Sequence, residues 1–390
     1  MTEPRTTWGL VRYFLYLGCF GFGGPVALIG YMQRDLVERR RWFDTRDYMK
    51  GLALSQLAPG PLAAQLAICL GYVHGRVTGA TLVGLAFIVP SLLMTLALGA
   101  LYVAYGGLGW MQAAFYGVGA AVIGIIVRSA WKLMRLTTGH DRLLWAVAAL
   151  MAVVTAWTET EVGSLFILCG IVVLLVQAPP RRLLSWTAAG RTPPALVLLT
   201  GMAVPPTTAA AASAGLGQIL WFFTKAGAFV FGSGLAIVPF LHGGVVTEYR
   251  WLSDKQFLDA VAVAMLTPGP VVITVAFIGY LVAGLAGGIT AALGVFLPTY
   301  LFVVVPYPWF DRFSDNPQVK AFVSGVTAAA AGAIAGACIV LGRRAIMDLP
   351  TALLALAVFG LLWRFRTPEP ILIAGAGAVG LLVFWLRGAS

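Results

Sequence analysis

The sequence predicts an all-α polytopic membrane protein built from two copies of one unit, and three observations carry that prediction. Hydrophobic residues make up 60% of the 390-residue chain and charged residues only 11%. Residues 77–127 and 260–310 contain no Asp, Glu, Lys, Arg or His; each stretch has room for two helical crossings at about 20 residues apiece. The third observation is a self-match. Shifted by 209 residues, Phe20, Phe22, Gly23, Trp42 and Pro59-Gly60-Pro61 fall on Phe229, Phe231, Gly232, Trp251 and Pro268-Gly269-Pro270. At a shift of 208 the match continues, with Pro90 on Pro298, Gly117 on Gly325, Gly124 on Gly332, Arg135 on Arg343 and Glu161 on Glu369. A match this long is an internal duplication, and helix breakers at equivalent depths of both copies point to a solute path between them.

Taken in order, the first copy occupies residues 1–178, a linker 179–216, and the second copy 217–390. Segment A, residues 8–32, is interrupted at 21–25; a basic loop at 34–50 follows. Segment B, 51–74, is broken by Pro59-Gly60-Pro61. Segment C, 77–105, contains Pro90, and segment D covers 110–133. Segments E, 143–158, and F, 162–178, form a hairpin around residues 159–161. Residues 192–214 match neither copy; 195–204 is apolar but short and is stopped by Pro205-Pro206, so a half-span or surface helix is expected there. The second copy repeats the pattern: A′ to 247, a loop to 259, B′ across 268–270, C′ to 305, D′ across 321–341, E′ 349–363 and F′ 370–386.

Basic residues set the orientation. The loop at 34–50 carries six Lys and Arg and its counterpart at 248–259 carries two, which assigns the first to the cytoplasm and tolerates the second outside. With segment B dipping in and returning, each copy has five crossings plus one re-entrant Pro-Gly-Pro hairpin. That odd count inserts the second copy upside down. Were segment A also a hairpin bent at 21–25, the count would turn even and the halves parallel. Arg343-Arg344 falls outside on the odd-count scheme, against the general bias.

The net charge of +11 does not indicate nucleic acid, because the basic residues sit in short loops beside apolar spans and read as topology signals. Cys19, Cys69, Cys169 and Cys338 are scattered through apolar segments, with no metal-ligand spacing, and are assigned to packing. No metal or cofactor is implied. Isolated histidines, lone cysteines and the lack of a mid-span carboxylate pair speak against a membrane-embedded enzyme.

The chemistry is expected at the helix breaks. Pro59 and Pro268 cannot continue a helix, whereas Pro61 and Pro270 suit the first position of a new one, with Gly60 and Gly269 as flexible caps. Free N–H groups at a helix start favour an anion, and irregular backbone at membrane depth is tolerated where protein or a water cavity covers it. Structural kinks alone would not be expected twice at equivalent positions. The substrate-contacting candidates are therefore Gly21, Phe22, Gly23 and Gly24; Gln56, Pro59, Gly60, Pro61 and Gln65; and, in the second copy, Phe231, Gly232, Ser233 and Gly234 with Thr267, Pro268, Gly269, Pro270 and Thr274. Lys225, at the place held by Tyr16 in the first copy, is the leading cation for anion contact, and Arg12 and Arg128 are secondary basic candidates. Snorkelling to the interface is the alternative for all three.

These residues resemble the chromate ion transporter family, in its fused two-copy form, over nearly the whole chain. The resemblance rests on Phe20-Gly-Phe-Gly-Gly-Pro25, Arg41-Trp42-Phe43, Gln56-Leu-Ala-Pro-Gly-Pro61, Gln65-Leu-Ala67, Gly71-Tyr72, Lys225-Ala-Gly227, Phe231-Gly-Ser-Gly234 and Thr267-Pro-Gly-Pro270. It implies a multi-pass protein of the bacterial or archaeal cytoplasmic membrane that exports chromate, confers chromate resistance and has halves of opposite orientation. The second copy departs at Ser233, Gly234 and Thr274, so the two half-sites need not be equivalent. Sulfate or another oxyanion is the alternative substrate, since charge and shape are shared. The partners implied are a chromate- or sulfate-like dianion and the lipid bilayer; a homodimer is compatible with the pattern. Membrane potential or proton-motive force can drive the process: expelling a dianion gains about 4.6 kcal/mol per 100 mV, roughly 2,000-fold in concentration ratio. No nucleotide-binding G-x-x-x-x-G-K-[ST] loop is present.

Overall fold

The computed structural model describes residues 6–22, 24–105, 109–158, 163–179, 215–229, 237–310, 315–346, 348–365 and 367–388. The expected half-span at 192–214, Gly23 and the second-copy break at Phe231, Gly232, Ser233 and Gly234 lie outside the described residues. Among the described residues every regular element is a helix, and five helices are long and apolar enough to cross a bilayer: Leu62–Tyr105, Gly109–Arg135, Val271–Trp309, Pro317–Arg343 and Glu369–Leu386. The chain is an all-α polytopic membrane protein.

The first part of the chain holds α1 (Thr7–Phe20), α2 (Gly24–Met32, continued by π-helical turns Gln33–Arg39), α3 (Thr45–Leu57), α4 (Leu62–Tyr105), α5 (Gly109–Thr138), α6 (Arg142–Thr158) and α7 (Gly163–Gln177). After the linker come α8 (Leu216–Phe229), α9 (Ile237–His242, continued by π-helical turns Gly243–Glu248) and α10 (Asp254–Leu266). They are followed by α11 (Thr274–Val304), α12 (Pro317–Ala345), α13 (Leu349–Arg364) and α14 (Glu369–Gly388). Local chemistry explains several starts. Thr6 accepts from the Gly9 N–H, Asn316 precedes Pro317, and Asp348 and Thr351 cap each other ahead of α13.

The chain reverses at both of its early breaks. Between α3 and α4 it turns at Pro59-Gly60-Pro61, so that Ser55 Oγ lies 3.9 Å from Cys69 Sγ and the two helical arms lie side by side. Between α1 and α2 it also turns. The Trp42 ring stands 3.3 Å from where a Cβ on Gly9 would be, and the Arg40 guanidinium lies 5.7 Å from the Tyr13 ring. Counting segment A as one crossing is therefore corrected: α1 ends at Gly21, whose N–H closes onto the Leu17 carbonyl, and the chain returns. A third reversal splits α4 at Gly75 and Arg76, where Gly71 and Gly79 pack backbone to backbone. The matching reversal in α11 is at Ala283 and Gly284, with Gly279 against Gly287.

These reversals fix which ends share a face. Thr7 Oγ1 sits 2.9 Å from His74 Nε2, so the start of α1 and the Gly75 turn lie together on what we term the Arg40 face. Thr81, just past that turn, bonds Tyr300 near the far end of α11 at 2.7 Å. Gly99, near the far end of α4, packs on Tyr280 beside the Ala283 turn. The long arms of α4 and α11 thus run antiparallel, so the parallel arrangement expected of an even count does not follow from the fold-back of segment A. Tyr102 on α4 bonds Asp259 on α10 at 2.7 Å. The 25 residues from Val77 to Tyr102 rise about 38 Å as helix, which puts Arg40 and Asp254 at opposite ends of the molecule. Close approach of small residues holds the bundle together. Gly332 and Gly336 of α12 pack on the α6 backbone at Ala148 and Ala152, and Gly117 of α5 packs against Ala376 of α14.

Candidate functional site

The two Pro-Gly-Pro turns need glycine at their centres. Gly60 has φ +138° and Gly269 φ +94°, a region closed to ordinary L-residues. Each turn is then pinned by polar groups. Gln65, fully buried, donates from Nε2 to the Pro59 carbonyl at 2.7 Å, while its Oε1 has no hydrogen-bond partner among the described residues. At the second turn, Thr267 and Thr274 bond back to the carbonyls of Ala264 and Val271.

The second turn also reaches across to the first part of the chain. The Gly269 N–H donates to the Gly21 carbonyl at 2.9 Å, and Ser91 of α4 donates to the Pro268 carbonyl at 2.7 Å, with the Gly18 carbonyl 3.3 Å away. Thr299, the counterpart of Ser91 at the 208 shift, presents its methyl to Gly60. The N–H of the central glycine is thus itself engaged at the second turn. The last carbonyls of α1 lack intrahelical donors, and the Gly21 oxygen takes the Gly269 N–H. α4 begins at Leu62, with the Pro61 carbonyl accepting from the Gln65 N–H at 3.0 Å, and a 3-10 turn, Val271–Ile273, precedes α11, so Pro61 and Pro270 stand just before their helices and not at the first helical position as expected.

Above the Gly21–Gly269 contact opens a cavity of about 1420 Å³ on the Arg40 face. Gly21 and Phe22 line it together with Tyr13 and Tyr16 of α1. Arg34, Arg39 and Arg40 enter from the turns after α2, Lys132 from α5 and Glu369 from the head of α14. Asp35 is already engaged, 3.0 Å from Arg34 and 3.8 Å from Arg39. Four cations against two carboxylates leave the cavity positive. A low-dielectric wall around such a cluster concentrates anions.

The remaining predicted residues are dispersed. Lys225 is half-buried on α8, its Nζ 5.9 Å from the exposed Trp221 ring, and borders neither this cavity nor the one described next. Arg12 is exposed, and Gln56 is exposed on α3. Arg128 lies 5.5 Å over the Trp363 ring with its Nε buried and, among the described residues, without a hydrogen-bond partner. Cys69, Cys169 and Cys338 are buried, as the packing assignment expects.

Sequence reasoning missed two groups. The cations at positions 34, 39, 40 and 132 were read only as orientation signals. Asp259 was placed at a loop end, yet it lies inside α10, only 4% exposed. The signal was present: Ser253 and Gln256 form a reciprocal cap that starts the helix at Asp254. Asp259 borders a second cavity, of about 660 Å³, on the opposite face, with Gln112, Tyr116, Asp254 and Lys255.

With this geometry in hand, comparison with known proteins is informative. A family model described as "Chromate transporter" matches twice, at residues 8–176 and 217–381. A "Chromate transport protein" of Cupriavidus metallidurans is 59% identical over 376 residues, covering 96% of this chain and 92% of that protein. A "Probable chromate transport protein" of Synechococcus elongatus is 54% identical, covering 97% and 95%. A "Chromate transport protein" of Pseudomonas aeruginosa is 32% identical, covering 97% and 93%. No solved structure matches.

Proposed function

The chain belongs to the chromate transporter family, and from that premise we propose that it expels chromate, a tetrahedral dianion, across the bacterial cytoplasmic membrane and so confers chromate resistance. It is a carrier and not an enzyme: the anion leaves with its valence unchanged. The observation that carries this reading is the positive cavity of the Arg40 face, which Gly21 and Phe22 line where the two parts of the chain meet. The positive-inside bias assigns that face to the cytoplasm, so the cavity collects dianions on the side from which they must leave. Membrane potential, negative inside, then favours their exit.

The finer architecture belongs to the same proposal. We take residues 1–178 and 217–390 as repeats of inverted topology, joined by residues 179–216. The hairpins bent at Pro59–Pro61 and Pro268–Pro270 re-enter the membrane from opposite faces. The antiparallel arms of α4 and α11 support this. So does the double match of one family model. The substrate path runs from the basic cavity past Gly21 and Phe22 to the two turns, with Gln65 and the α4 start on one side and Ser91 and Thr274 on the other. Lys225 is taken as a contact further along it, at the place of Tyr16.

Inverted membrane vesicles test the proposal. Labelled chromate should accumulate in the lumen when a lumen-positive potential is imposed, and its oxidation state should stay unchanged. Excess sulfate in the bath measures selectivity. Vesicles that reduce chromate without accumulating it, or that accumulate none, would refute the reading.

A further inference from the structure

The 660 Å³ cavity on the Asp254 face is chemically unlike the basic one. Asp259, on its wall, is 4% exposed, and among the described residues no cation pairs with it. Its hydrogen bond comes from Tyr102, 2.7 Å from Oδ2. Lys255, one turn earlier on α10, points its Nζ at Gln112 Oε1, 3.3 Å away. The other groups that line the cavity with Asp259 include Gln112 and Tyr116 from α5, Asp254 from its own helix and Phe384 from α14. Asp254 is held by His242 at 2.8 Å, and Asp348 at the head of α13 is held by Tyr116.

A carboxylate withdrawn from water and left without a cation is costly when charged, and such groups in membrane proteins mark proton paths. The partner here suits both states. A phenol hydroxyl donates to the ionised carboxylate and accepts from the protonated acid, so Asp259 can gain or lose its proton without leaving a buried polar atom unsatisfied. Its position is equally specific. Nine residues, about 13 Å of helix, separate Asp259 from Pro268. The turn there holds the floor of the opposite cavity through the Gly269–Gly21 bond. One short hairpin thus carries a titratable group facing one side and a contact in the anion path facing the other.

We propose that Asp259 is the proton-carrying residue that couples oxyanion exit to proton entry. The inference rests on the transport reading above. Asp259 takes a proton from the Asp254 face, and its neutral form removes the negative charge that would repel a departing dianion. On return the proton is released to the Arg40 face. One proton moves in as one dianion moves out, and nothing is oxidised or reduced.

The experiment uses the full-length protein in inverted vesicles, with labelled chromate as the probe and a pH-sensitive dye in the lumen. In the wild type, with potential clamped, chromate entry should alkalinise the lumen. Each unit of imposed pH gradient should change the attainable chromate ratio about tenfold for one coupled proton. Asp259→Asn should abolish both effects, and Asp259→Glu should retain them. Counterflow, the exchange of labelled for unlabelled chromate with no gradients, should survive in Asp259→Asn, because it needs no net proton movement. Persistent chromate-dependent pH change in Asp259→Asn would overturn the proposal. Loss of counterflow in both Asp259 variants would make the residue structural and overturn it too. Absence of counterflow in the wild type would refute the transport reading itself.

Discussion

Replacing Gly269 by alanine probes the contact between the two parts of the chain, and its effect can be worked out from the structure. A Cβ at this position would lie 2.0 Å from Ser91 Oγ and 3.1 Å from Ser91 Cβ, far inside the ~3.5–4.0 Å of a relaxed contact. Overpacking of this kind costs about 1–3 kcal/mol, and holding alanine at the φ of Gly269 adds about 1–3 kcal/mol more. The single variant should therefore be destabilised by about 2–6 kcal/mol and lose export. Ser91→Ala alone loses one buried hydrogen bond, to Pro268, and should cost about 1 kcal/mol. In the double variant the 2.0 Å clash is gone. It should cost about 2–4 kcal/mol, a coupling of about 1–3 kcal/mol in favour of the pair. The assay is thermal unfolding of detergent-purified protein beside chromate accumulation in cells at matched membrane abundance. A double variant no better than Gly269→Ala, or a single variant that exports normally, would refute the close docking of the second turn on α1 and α4.

Three further outcomes follow from the same structure. Neutralising Arg39 and Lys132 together should lower transport at dilute chromate several-fold while leaving the maximal rate near wild type, and added salt should shrink the difference; a salt-independent loss would refute electrostatic collection. Single cysteines replacing Arg40 and Asp254 should react with an impermeant reagent from opposite sides of the membrane, and equal labelling in intact cells would sink the inverted arrangement. Lys225→Ala should strongly reduce export and Lys225→Arg restore part of it; full resistance in cells carrying Lys225→Ala would leave the side chain with no role beyond resting on Trp221.

What could be read from the sequence was whatever local pattern encodes. The charge-free stretches became the longest helices, α4, α5 and α11, and Pro-Gly-Pro marked breaks at both expected places. The fold-back of segment A was harder to see, because Gly21 to Pro25 permits a kink or a reversal equally and only the packing of Trp42 beside Gly9 decides. The Gly269–Gly21 and Ser91–Pro268 bonds join residues 248 and 177 positions apart, and no periodicity records such pairs. The basic cavity was hidden for a different reason. Arg34, Arg39, Arg40 and Lys132 are the type of residue that orients any membrane protein, so their second use shows only when the folded chain gathers them around Gly21 and Phe22.

A repeat inverted without change would present the same chemistry to both sides and give transport no preferred direction beyond that of the applied gradients. On the inverted arrangement proposed above, direction must then come from positions where the copies differ, and several of these lie at the two cavities and the two turns. At the 209 shift Lys50 becomes Asp259; the lysine lies over the Tyr307 ring on the Arg40 face, while the aspartate borders the opposite cavity. Tyr16, lining the basic cavity, becomes Lys225. Ser91 becomes Thr299, which bonds back to Val295 and meets Gly60 with its methyl instead of bridging the turn. The basic side gathers dianions and the acidic side disfavours their return. Exchanging the residues of a pair, Lys50→Asp with Asp259→Lys, should therefore weaken net export far more than gradient-free chromate exchange. Equal loss of both would assign the pair to folding and leave the direction of transport to the membrane potential alone.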